Sequence, residues 1–215
     1  MSFDLSSVTL YGHSAVRIDG EHVVCVDPFH LKESPQDADI ILVTHEHHDH
    51  FSPKDIEKAA APDAVLVIPF SMIPAALAAG YPVSRLVAMQ PGEDREVRGV
   101  RIRAVNAYNN SRPFHTKERG WLGFVIRLNG LDYYVAGDTD ENEDNAKVVC
   151  DVAIVPVGGT YTMTADEAAH FVNRLHPKAA VPTHYGDIVG TQEDARRFLQ
   201  LVDPAVTAEI RMKDD

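Results

Sequence analysis

Short apolar runs recur from one end of the chain to the other, and turn residues separate them. SVTLYG, AVRIDG and HVVCVD come first, punctuated by Gly12 and Gly20, and read as a meander of strands. DIILVT follows, then a dense polar loop. A helix is then entered through Ser52 and Pro53, a capping residue and a residue of fixed φ in the favoured order. AVLVI reads as a buried strand, and SMIPAALAAG as a short helix with Ser71 as its cap and Gly80 at its stop. RLVAM, a PGED turn, REVRG and VRIRAV come next. WLGFVIRL and LDYYVAG flank Asn129-Gly130, the pair that a type I′ hairpin turn wants. The last third alternates strand and helix. VAIVPV leads to a helix that Thr164 and Glu167 open as a capping box and that runs to Leu175. KAAVPT, a helix from Thr191 and a final strand, AVTAEIRM, complete the chain. Strand-rich halves with helices outside predict an α/β layered sandwich. Periodicity does not give the strand order.

No Pro, Gly or Ser run long enough to act as a linker interrupts this rhythm, so the 215 residues are expected to form one domain, 1–215. A chain of this size buries a large core without staples. With 45% hydrophobic and 24% charged residues, it is neither disordered nor collagen-like nor an integral membrane protein. Ala64 to Ser84 carries no charge, but Pro69, Pro74, Gly80 and Pro82 cut it into pieces too short to span a bilayer. The formal charge of -12 argues against binding nucleic acid or anionic lipid. Cys25 and Cys150 each lie in an apolar run and read as buried, inert thiols. With no basic and apolar leader in MSFDLSSVTL, they fit a cytoplasmic location.

The loop after DIILVT reads His45-Glu46-His47-His48-Asp49-His50. Imidazole nitrogen and carboxylate oxygen are ligands for Zn, Mn, Fe and Ni alike. From an extended backbone His45 and His47 point the same way and can share one ion, while Asp49 and His50, past the turn, face a second. The tract is mixed with carboxylates and follows directly on a buried strand, unlike an adventitious His-rich tail. The same grammar repeats. LDYYVA ends in Gly137-Asp138-Thr139-Asp140, and KAAVP ends in Thr183-His184-Tyr185-Gly186-Asp187. Side chains at strand ends converge on one sheet edge, where open α/β sheets place their ligands. Asp138 can bridge two metals and His184 can complete one set.

In these residues the chain resembles the metallo-β-lactamase superfamily of metal-dependent hydrolases: His45-x-His47-x-Asp49-His50, then Asp138, then His184, in the family's order. Finer tokens are similar to the subgroup that includes ascorbate-6-phosphate lactonase: Gly12-His13-Ser14, Val26-Asp27-Pro28-Phe29, Gly137-Asp138-Thr139, the Gly158–Met163 segment and Pro182-Thr183-His184-Tyr185. The resemblance implies a four-layer αββα sandwich with a dinuclear site at the edge between its sheets. Two divalent transition-metal ions are implied, zinc first, with Mn, Ni or Fe as alternatives. By position, His45 and His47 would bind the first and Asp49 and His50 the second, with Asp138 bridging and His184 joining the second set. Asp27 is either the carboxylate that orients a ligand histidine through its far ring nitrogen or a turn residue before Pro28.

One departure matters. The family takes a further histidine for the first metal from a strand end between the ligand loop and the bridging Asp. Here VRIRAVNAY runs into Asn109-Asn110, and the only histidine between His50 and Asp138 is His115, in SRPFHTKERG. Either His115 reaches in, or Asn109 is a weak oxygen ligand, or the first site is deficient; His115 is the expectation. His13 either faces the metals or is a packed polar residue. His48 stands at a variable position of the motif, and His22, His30, His170 and His176 have no partner in the sequence.

The implied activity is hydrolysis of a small ester, lactone or phosphoester by a hydroxide held between two metals. Asp49 would orient that nucleophile, and leaving-group protonation would fall to water, His13 or His115. The Asn106–Gly120 loop carries Tyr108, Arg112, His115, Lys117 and Arg119; it either binds an anionic substrate or is a solvated charged loop, the latter slightly preferred. A phosphodiesterase or nuclease is the rival enzyme, and a non-catalytic metal-binding member of the fold the rival of another class. A small-molecule substrate is the expected partner. Self-association is left open, with no apolar helix face to advertise it.

Overall fold

The computed structural model describes residues 3–213, and two mixed β-sheets stacked face to face organise them. The first sheet runs in chain order: β1 (Val8–Gly12), β2 (Ala15–Ile18), β3 (Val24–Val26), β4 (Ala38–Leu42), β5 (Ala60–Pro69) and β6 (Leu86–Met89). Its first three strands form the antiparallel meander that the glycine punctuation predicts, and β3 to β6 are parallel. The second sheet has the order β13 (Thr207–Ala208), β12 (Ala179–Thr183), β11 (Val152–Pro156), β10 (Leu131–Val135), β9 (Leu122–Leu128), β8 (Val100–Asn106) and β7 (Asp94–Val97). Here β10 to β13 are parallel and β7 to β10 antiparallel. Asn129 and Gly130 take φ of 54° and 74° between β9 and β10, the paired left-handed geometry of a type I′ turn.

Helices close both outer faces. α1 (Pro53–Ala59) and α2 (Ile73–Ala78) cover the first sheet, and α3 (Ala165–Leu175) and α4 (Gln192–Leu201) the second, giving the layers α, β, β, α. This explains why DIILVT is apolar without alternation. Ile40 and Leu42 point into the core between the sheets, against Ile102, Phe124 and Ile154, whereas Ile41 and Val43 meet Ile56 and Ala59 of α1. A parallel strand covered on both faces must be hydrophobic throughout. Ile154 likewise faces inward while Ala153 and Val155 pack on Ala168, Phe171 and Val172 of α3.

Three local expectations change. Ser71 does not cap a helix; it lies in a 3₁₀ turn, Phe70–Met72, and α2 begins only at Ile73, because Pro74 has no N–H to donate and fits a helix only in its first turn. Ser52 holds the N-cap position of α1 but spends its hydroxyl as a donor to Asp55 Oδ2, at 2.8 Å. The final strand is confined to Thr207–Ala208, since the chain then leaves β12 and Met212 bridges to Leu10 of the other sheet. The capping boxes of α3, Thr164 with Glu167, and of α4, Thr191 with Asp194, are complete. Both cysteines are free; Cys25 is buried but Cys150 only partly so, and desolvation pushes each thiol up to about 12. No helix among the described residues is long and apolar enough to cross a membrane.

Candidate metal centre

The parallel strands β4, β10 and β12 all end at the same edge of the sandwich, and each delivers a ligand-capable side chain there. The two sheets are laced together at this edge: His184 N donates to His13 O at 2.8 Å, and Leu122 N to Thr44 O at 3.0 Å. His45, Asp49 and His50 follow β4, Asp138 follows β10, His184 follows β12, and His13 occupies the turn between β1 and β2. All six are buried, and His47 is exposed.

The donor atoms gather in three overlapping groups, each within 4.8 Å: His45, His47 and His115; His13, Asp49, His50 and His184; and His45, His50 and Asp138. Asp138 lies between the other two, with Oδ2 3.3 Å from His115 Nε2 and 3.1 Å from His184 Nε2, and Oδ1 3.4 Å from His50 Nε2. The structure brings His115 beside His45 and His47. Asn109 stands behind it: the Tyr161 carbonyl accepts from Asn109 Nδ2 at 2.7 Å and from His115 Nδ1 at 3.2 Å, which turns His115 Nε2 toward the centre. His48 is exposed and outside every group. His30 pairs instead with Asp187, at 2.6 Å.

A layer of hydrogen bonds fixes which ring nitrogen faces inward. Asp27 Oδ1 accepts from Thr44 N at 2.8 Å, and Oδ2 from Thr44 Oγ1 at 2.6 Å and His50 Nδ1 at 2.7 Å. Thr44 Oγ1 in turn accepts from His45 Nδ1 at 3.0 Å, leaving Nε2 of both histidines directed at the centre. Asp27 thus holds Thr44 and His50 from behind the group, the arrangement by which an outer carboxylate orients a histidine. His13 Nε2 donates to Asp49 Oδ2 at 3.3 Å. His13, Asp27, His115 and His184 all have φ between 47° and 59°, a left-handed backbone that costs roughly 1–2 kcal/mol per residue.

The charge balance is that of a cation site. Burial disfavours charge on Asp138, yet the His184 and His50 rings hold its carboxyl well below the usual range. Burial likewise pulls the His45 imidazole down, so it stands neutral, as a ligand must. Burial works against Asp49 too, but the hydrogen bond from His13 and the nearby His50 bring its carboxyl down. Nε2 of His50, His115 and His184 and Oδ1 of Asp138 are buried without a hydrogen-bond partner, although they lie close together. Orphaned buried polar atoms in such a cluster are rare in folded proteins. Burial also disfavours charge on His50, but Asp138 and Asp27 outweigh it and hold that imidazole well above its ordinary value. Imidazole nitrogens and carboxylate oxygens converging on one volume are ligands that divalent transition metals accept.

A four-layer αββα sandwich with His/Asp groups where its sheets meet is the architecture of the metallo-β-lactamase fold. The chain belongs to the β-lactamase superfamily, whose domain profile matches residues 7–184, and within it to the UPF0173 metal-dependent hydrolases. A UPF0173 metal-dependent hydrolase of Pyrococcus abyssi is 33% identical over 209 residues, covering 91% of each chain. A solved structure from Parabacteroides distasonis superposes with a TM-score of 0.81 at 26% identity, covering 99% of this chain and 98% of that one. Igni18, a metallo hydrolase from the archaeon Ignicoccus hospitalis, shares the fold with a TM-score of 0.77 at 20% identity, over 97% and 95% of the two chains.

Proposed function

We propose that the protein hydrolyses a small, uncharged ester or lactone at a dinuclear centre. His45, His47 and His115 would hold one metal, Asp49, His50 and His184 the other, and Asp138 would lie between them. The observation that carries this reading is the convergence of the two His-rich groups on the single carboxylate of Asp138. When bound, a pair of divalent cations polarises the carbonyl under attack and lowers the pKa of water toward ~7.

The remaining work falls to the chain. Asp49, fixed by the His13 N–H, orients the attacking water through its carboxylate. The leaving group takes its proton from water. Substrate choice follows from the mouth of the site. Arg112 pairs with Asp140 and Glu167, Lys117 with Glu143 and Asp144, and Arg119 with Glu46, so the loop's cations are engaged by acids of the chain itself. Phe114, 42% exposed, packs edge-on against Tyr161 with ring centroids 4.9 Å apart, an apolar wall beside His115. This favours a neutral, partly apolar acyl substrate over a phosphoester.

The test begins with metal content per chain, by mass spectrometry on untagged protein, with about two equivalents expected. Aryl esters, lactones and phosphodiesters are then assayed in parallel. Turnover of esters or lactones that Asp138→Asn abolishes in a folded protein supports the proposal. Preferential turnover of phosphodiesters overturns the substrate class, and full metal loading with no turnover of any of the three overturns the hydrolytic reading.

A further inference from the structure

We infer that Asp140 is a positioning residue for the first metal: by clamping the loop that carries His115, it sets the affinity of the His45, His47 and His115 group. The inference rests on the dinuclear reading above. Ligands on strands are held more precisely than ligands on loops. His45, Asp138 and His184 lie at or just beyond strand ends, but His115 sits in the irregular stretch after β8, at a left-handed φ of 55°. Something outside the metal must hold this stretch if Nε2 is to meet Asp138 Oδ2 at 3.3 Å.

Asp140 is that anchor. It is buried, and its Oδ2 accepts from Asn110 N at 3.1 Å, Ser111 N at 3.3 Å and Ser111 Oγ at 3.1 Å. Its Oδ1 takes the Arg112 guanidinium, whose other arm reaches Glu167 Oε2 at 2.6 Å. Glu167 is the reciprocal member of the α3 capping box, so the loop is tied to a rigid helix start. Thr139 adds the base of the loop: its Oγ1 accepts from Tyr108 N at 3.1 Å. Inside the anchored turn, Asn109 N donates to His115 O at 2.8 Å. The segment that offers Asp138 to the metals thus also locates, through Thr139 and Asp140, the loop histidine meant to meet it. Arg112, which the sequence offered as a substrate cation, serves as the second jaw of this clamp.

The test is a Co²⁺ titration of the full-length, metal-stripped protein, followed by visible ligand-field absorption and by bound metal per chain. Asp140→Ala is expected to keep one equivalent at wild-type affinity and to bind the other about 10- to 100-fold more weakly, the range for losing an outer partner of a metal ligand. Arg112→Ala is expected to shift the same equivalent, and Arg112→Lys to recover part of the loss. Arg197→Ala, which removes an exposed α3–α4 ion pair at 2.9 Å, is expected to titrate as wild type. If wild type takes up two ions and Asp140→Ala is indistinguishable from it, the positioning role is overturned while the dinuclear centre stands. If wild type takes up one ion or none, the dinuclear reading fails and this inference with it. Should Asp140→Ala not fold, Arg112→Ala decides by the same criterion, since it leaves Asp140 its three other donors.

Discussion

Asp27 and His50 form a buried carboxylate–imidazole pair, with Asp27 Oδ2 2.7 Å from His50 Nδ1, and the far side of the same ring lies 3.4 Å from Asp138 Oδ1. One bond therefore aims a candidate ligand from behind. Asp27→Ala frees that ring and also strips Thr44 N and Oγ1 of their acceptor. Metal affinity is expected to fall about 10- to 100-fold, with Asp27→Asn less affected because its amide oxygen still accepts. Competition with a chromogenic chelator measures this; affinity unchanged in Asp27→Ala would remove Asp27 from the site.

Gly158 presses on His184 from the side away from the centre. A Cβ there would stand 2.4 Å from His184 O and 2.9 Å from its Nδ1, and a backbone oxygen cannot swing aside as a flexible side chain can. Gly158→Ala is expected to cost about 1–3 kcal/mol of stability through overpacking. It should also weaken metal binding by the group containing His184. Thermal melting and metal titration of the variant read the two effects separately.

Acid sensitivity is expected at Asp55, which no candidate metal group includes. Asp55 accepts from Ser52 Oγ and Lys58 Nζ, both at 2.8 Å, and from the backbone N–H groups of His30 and Leu31, both at 3.1 Å. Burial raises its pKa, but the bonds from Lys58 and Ser52 outweigh this and leave it lowered. A depressed folded pKa means stabilisation that is complete above the unfolded value of ~3.9 and lost as pH falls through the folded one. Asp55→Asn is expected to cost about 2 kcal/mol at neutral pH. Urea melts of both proteins should show that gap closing below pH ~4; a gap constant with pH would contradict the assignment.

Metal removal should lower thermal stability, because buried imidazoles and carboxylates then face one another without a cation. At a free metal concentration of 100 times Kd the gain is about 2.7 kcal/mol per site. For a chain of this size, that is a rise in Tm of roughly 5–10 °C. Calorimetry of the chelator-stripped protein, with and without added Zn²⁺, gives the value. Identical melts would argue against metal binding by the folded state.

What the sequence determined by itself is what short windows encode. Asn129-Gly130 specifies its turn through the φ values those two residues tolerate, and Thr164 with Glu167 begins α3 through bonds made within one turn. His45, His47, Asp49 and His50 could be recognised because their spacing sits on one strand end and the turn after it. Residues whose role depends on remote partners were not legible in that way. Ser71 carries a capping side chain, but its neighbours Met72 and Pro74 settle where α2 begins. Asp27 had an even choice between turn and orienting carboxylate until β3 and β4 paired and set Thr44 and His50 against it. His115 lies on a loop with no periodicity to read, and its placement depends on Tyr161, Asp138 and Asp140 from other parts of the chain. Backbone propensity acts over a few residues, whereas the approach of a loop side chain to a buried centre is set by which distant groups satisfy its hydrogen bonds once the sheets have packed.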